Sequence, residues 1–115
     1  MKKISILLLL ALPFGLQYCS SSKKAMTAKV PPKITYMANV QPLMVMNCTP
    51  CHFPPKGNKK PYDSYTLVQT DIDQILERIQ KNPGDRGFMP YKHTKLPDST
   101  IMVYVQWKKD GLLEK

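Results

Sequence analysis

The run Cys48-Thr49-Pro50-Cys51-His52 constrains this chain more than any other feature. Two thiols with two residues between them stand about one helical turn from each other, and an imidazole follows directly. A fold that uses all three groups must be built around this point of the chain. A short-loop disulfide, half of a zinc site and a thioredoxin-type redox pair are simpler uses of the two cysteines. Zinc normally takes four ligands, and the chain offers three cysteines, two histidines and no second C-x-x-C. A thioredoxin-like pair belongs in a βαβ context, which the flanking sequence does not suggest. None of these uses requires the adjacent His52. The whole pattern C-x-x-C-H is the attachment signal for a c-type haem. The thiols add across the two vinyl groups as thioethers, and the histidine comes up under the iron as proximal ligand. One covalent haem c on Cys48, Cys51 and His52 is therefore the expected cofactor.

The start of the chain suggests export. Met1-Lys2-Lys3 is a short basic stretch, and residues 4–12 are apolar but too few to span a bilayer as a mature helix. A signal peptide is expected over residues 1–18. The stretch Leu16-Gln17-Tyr18-Cys19 resembles a bacterial lipoprotein signal, which would place a lipid on Cys19; Tyr18 stands where that signal prefers a small residue. The alternative is an ordinary signal peptide with Cys19 as a spare thiol. Residues 19–33 read as a tether: Ser20-Ser21-Ser22-Lys23-Lys24 is polar and low in complexity, and Val30-Pro31-Pro32 is stiff. The expected location is the periplasmic side of a membrane, held there by the lipid.

The folded domain is then 34–115. About 80 residues is small for an unaided core, and a largely apolar macrocycle would supply what is missing. The full chain carries 17 Lys+Arg against 8 Asp+Glu; without Lys2 and Lys3 the balance is 15 against 8, a net +7. Lys56, Lys59, Lys60, Arg86, Lys92 and Lys95 flank the loops expected around the haem. They suit docking onto acidic redox partners, or simply a basic, soluble surface. No aromatic–basic platform or helix-turn-helix pattern is visible, so nucleic acid is not expected as a partner.

The expected secondary structure is entirely helical. A first helix covers 36–47, with Val40, Leu43 and Met44 on one face; Pro42 favours a regular start near Gln41, with a loose turn before it. Prolines and Gly57 make 53–62 a loop. A short helix follows over 63–69, capped by Asp63. The clearest helix is 71–81, with Ile72, Ile75, Leu76 and Ile79 in period, Thr70 as cap and Asn82-Pro83-Gly84 as stop. The last helix, 98–109, turns Ile101, Tyr104, Val105 and Trp107 inward and ends at Gly111.

A six-coordinate haem needs a second axial ligand. Met89, in Gly87-Phe88-Met89-Pro90, and His93 are the candidates. Met44 and Met102 lie on or beside helical faces, where core packing explains them better. Met89 sits in a loop without periodicity, stiffened by Pro90, and is preferred.

These features together resemble monohaem class I cytochrome c over residues 36–112. The marks are a helix leading into C-T-P-C-H, the Gly-Phe-Met-Pro loop, and a final helix ending Tyr104-Val105-Gln106-Trp107-Lys108-Lys109-Asp110-Gly111. The resemblance implies a small all-α cytochrome c fold whose N- and C-terminal helices pack across each other around the haem, with Trp107 or Tyr104 at the crossing. Met44 replaces an aromatic common in the family, and Val40 a glycine found in some members. The resemblance also suggests that a proline carbonyl accepts the second ring N–H of His52. Pro61 is the expected one, because Pro54 and Pro55 are too near in sequence for the chain to fold back.

The expected function is single-electron transfer with His52/Met89 ligation and no small-molecule substrate. The alternative is a haem enzyme or sensor with a displaceable sixth ligand, or a haem subunit of a larger oxidoreductase complex.

Overall fold

The computed structural model describes residues 31–115. The expected signal peptide, Cys19 and the tether up to residue 30 lie outside the described residues. Pro31 to Lys33 are exposed and irregular, and the first firm tie is Ile34, whose N–H donates to Asp110 Oδ2 at 2.7 Å.

Regular structure begins with a π-helical turn, Tyr36–Val40, which runs directly into α1, Gln41–Cys48. Pro42 accounts for the change of pitch. Its ring clashes with the carbonyl four residues back and it has no N–H to donate. The turn before it is wound one residue wider: the N–H groups of Val40 and Gln41 reach back five residues, to Thr35 and Tyr36. The regular helix thus starts at Gln41, as the proline implied. Turn and helix together bury Tyr36, Val40 and Met44, spaced by four, while Leu43 is half-buried.

Two short helices, α2 (Tyr65–Thr70) and α3 (Ile72–Gln80), follow almost without a break. Neither uses the expected cap. α2 starts after Ser64 and not at Asp63. Thr70 closes α2 instead of opening α3, donating its hydroxyl to the Thr66 carbonyl at 2.8 Å. Asp71 occupies the N-cap position of α3, but its carboxylate is engaged elsewhere. The apolar face of α3 is as expected: Ile72, Ile75 and Ile79 are buried and Leu76 half-buried.

α4 spans Asp98–Lys109 and buries Ile101, Tyr104 and Trp107. Met102, expected near the core, is instead 51% exposed. Gly111, at φ +94°, ends the helix in a Schellman turn: its N–H bonds the Lys108 carbonyl (3.2 Å), and that of Leu112 bonds Trp107 (3.0 Å).

Among the described residues there is no strand, and the fold they make is small and all-α. α4 is the hub, with the π-helical turn and α3 against it and α2 against α3. Trp107 and Val40 are fully buried. The rings of Tyr36 and Trp107 lie 5.9 Å apart, and Tyr65 meets Tyr36 edge-on at 5.6 Å. The tail after α4 returns to the beginning of the fold, in an isolated parallel bridge between Thr35 and Leu113.

Candidate functional site: an apolar cleft behind the C-x-x-C-H segment

A cleft of about 570 Å³ opens between the end of α1, the loop after it, α3, α4 and the loop 82–96. That is within the size range of cofactor sites. Its floor is apolar, formed by Met44, Ile75, Ile79, Leu96 and Tyr104. Cys48, Cys51, His52 and Met89 all line it, so the fold brings the four expected site residues to one cavity. His93 lines it too, but from an exposed position, whereas Met89 is partly buried against the core.

The two cysteines are free thiols in different surroundings. Cys48 ends α1 with its Sγ 3.9 Å from Met44 Sδ, and burial pushes its pKa up to about 11. Cys51 is exposed. No group of three or more His, Cys, Asp or Glu among the described residues is gathered so as to hold a metal ion by itself.

His52 is held from behind. Its Nδ1 lies 2.6 Å from the Lys60 carbonyl, which fixes a proton on that nitrogen and leaves Nε2 as the basic one. The acceptor is therefore Lys60 and not the expected Pro61. The loop does fold back beneath the ring, but one residue out of register with the expectation. The backbone reinforces it: Tyr62 N–H donates to the His52 carbonyl (2.9 Å) and Lys59 N–H to that of Cys51 (3.1 Å). The Tyr62 ring stacks on the imidazole, 4.7 Å between centroids and 17° between planes.

Tyr62 O–H in turn donates to Asp71 Oδ2 at 3.1 Å. Burial, and then the neighbouring carboxylate, raise the phenol to about 12, so it stays a neutral donor. Lys60 Nζ pairs with the same Asp71 oxygen. The hydrogen bond from Lys60, chiefly, holds Asp71 below its ordinary pKa.

Gly57 is a site residue that sequence reading passed over as one breaker among several. A Cβ there would lie 2.3 Å from both the Pro50 and Cys51 carbonyl oxygens. The loop can close under the C-x-x-C-H segment only because this side chain is missing.

On the far side, Met89 N–H donates to the Arg78 carbonyl at 3.2 Å, which ties the Gly-Phe-Met-Pro loop to α3. Arg78 also lines the cleft.

No family model, curated protein or solved structure matches the chain.

Proposed function

We propose that this protein is a small cytochrome c of the class I type, carrying one covalent haem c and transferring single electrons outside the cytoplasmic membrane. One observation carries the reading. A histidine whose Nδ1 is already bonded to a backbone carbonyl lies on the wall of an apolar cleft, beside two free thiols and a loop methionine. That donor set suits haem iron: a basic imidazole nitrogen, a soft thioether, and two thiols for covalent attachment. Zinc is suited less well, since it calls for four such ligands brought together, and among the described residues no three His, Cys, Asp or Glu are gathered so.

In this reading Cys48 and Cys51 would hold the macrocycle, and His52 and Met89 would ligate its iron. Bound haem supplies a one-electron Fe(III)/Fe(II) couple, and a thioether on an iron in an apolar pocket favours the reduced form. The residues of the cleft contribute rigidity. His52 is fixed by Lys60 and Tyr62, and Met89 by its bond to α3, so neither needs to move when an electron arrives. Met44, Ile75, Ile79 and Tyr104 exclude water from the cavity floor. Lys59 on the cleft wall and Lys92 on the Met89 loop are exposed cations, which support docking to an acidic redox partner. Attachment to a membrane through lipid on Cys19 belongs to the same proposal. No helix among the described residues is long and apolar enough to cross a membrane.

The test is expression with a haem-attachment system, followed by a pyridine haemochrome assay and spectra of both oxidation states. The expected result is one thioether-linked haem per chain with a low-spin ferric spectrum. Protein free of haem would overturn the reading. A high-spin ferric form that takes up cyanide or CO at once would point to the enzyme or sensor alternative.

A further inference from the structure

We propose that Asp71 is a positioning residue for the axial imidazole of His52, acting through the side chains of Lys60 and Tyr62. This rests on the haem reading above and deepens it.

The contacts form a closed circuit. His52 Nδ1–H donates to the Lys60 carbonyl (2.6 Å). The ammonium of that same lysine pairs with Asp71 Oδ2. The oxygen also accepts the Tyr62 hydroxyl (3.1 Å), and the Tyr62 ring lies against the imidazole (4.7 Å). The Nδ1 bond limits rotation of the imidazole about its own axis. The stacked ring limits its tilt. Pro61, between the two supporting residues, fixes its own φ, so both arms spring from a stiff point. Asp71 is the one residue that grips both arms.

Asp71 also connects this support to the opposite wall. It stands at the N-cap of α3, and Arg78 on the same helix takes the Met89 N–H through its carbonyl. The two supports are separated by about 10 Å of helix. α3 thus acts as a strut between the His52 and Met89 loops, with Asp71 as its attachment on the histidine side.

The chemical consequence concerns donor strength. A firm Nδ1–H···O bond makes the other ring nitrogen a better donor, and a better donor favours the ferric iron. Loosening the circuit should therefore raise the reduction potential.

The experiment is spectroelectrochemistry on haem-loaded wild type, Tyr62→Phe, Asp71→Asn, their double variant and Lys60→Gln, with haem stoichiometry measured on each. Tyr62→Phe keeps charge, volume and the ring stack, and removes only the bond to Asp71. It should raise the midpoint potential. Asp71→Asn should raise it too, and the double variant should move by less than the sum. Lys60→Gln is the discriminating case. Loss of a nearby cation by itself lowers the potential, whereas release of the circuit raises it; an upward shift is expected. A wild-type potential in Tyr62→Phe, or a downward shift in Lys60→Gln, with haem content intact, would overturn the inference and leave the haem reading standing. If Asp71→Asn fails to load haem, Tyr62→Phe decides alone. Absence of covalent haem from wild type would remove both.

Discussion

Trp107 Nε1 donates to the Leu113 carbonyl at 2.8 Å, and the same oxygen accepts the Tyr36 N–H at 2.8 Å. One carbonyl of the tail therefore fastens both the last helix and the first turn. Trp107→Phe removes one of the two bonds without leaving the oxygen unpaired. It should cost about 1–2 kcal/mol, whereas Trp107→Ala, which also empties a fully buried volume, should cost about 3–5 kcal/mol. Chemical denaturation measures both.

Gly57 and Gly84 make a contrasting pair. A methyl at Gly57 meets two backbone oxygens, and one at Gly84 meets nothing within 4 Å, although its φ is +99°. Gly57→Ala should cost about 1–3 kcal/mol and lower the yield of haem-loaded protein, because the strain falls on Pro50 and Cys51. Gly84→Ala should cost about 1–2 kcal/mol through its backbone alone and leave haem content unchanged. Equal haem yields from the two variants would contradict this placement of Gly57.

Under the proposed His52/Met89 ligation, Met89→Ala should keep the covalent haem and shift it toward high spin. Met44→Ala should stay low-spin while losing about 2–5 kcal/mol of stability, since Met44 is fully buried. A low-spin spectrum in Met89→Ala would direct attention to His93, which reaches the same cleft. The ferric spectrum at neutral pH reads out each case.

Asp110 accepts the Ile34 N–H (2.7 Å) and an N–H of Gln106 (2.8 Å), and the backbone bond in particular holds its pKa below the ordinary value. The folded state therefore binds a proton less readily than the unfolded chain. The stability this gives is present above the unfolded aspartate value of ~3.9 and is lost as the pH falls through the folded one. Asp110→Asn should lower the melting temperature at neutral pH and flatten its fall on the acid side, where variant and wild type converge.

The parts of this structure that repeat along the chain were legible in its sequence. The bounds of α4, the apolar face of α3 and the late start of α1 follow from periodicity and from Pro42, signals spread over several residues or fixed by a covalent ring. The N-caps were not legible. Thr70 and Asp63 are good capping residues, but each choice turns on one hydrogen bond, which a neighbouring helix or a tertiary partner can take over. The acceptor behind His52 was missed for a related reason. A backbone carbonyl carries no residue signature, so Lys60 and Pro61 differ only by where the loop turns, and that turn is set by Gly57 and by the pairing of residues 59 and 62 with the motif. The tail was invisible because Leu112 and Leu113 do their work through carbonyls, to Tyr65 and Trp107.

The Thr35–Leu113 bridge sets the order in which a growing chain can close. The opening turn presents Tyr36 and Val40 to a surface that does not exist until α4 has been made, and its backbone partner, Leu113, follows that helix. Whatever local helix forms earlier, the first segment of the fold is among the last to be sealed. Until then the cleft lacks the part of its floor that Tyr104 of α4 supplies, and the wall carrying Cys48 and Cys51 stays open on that side.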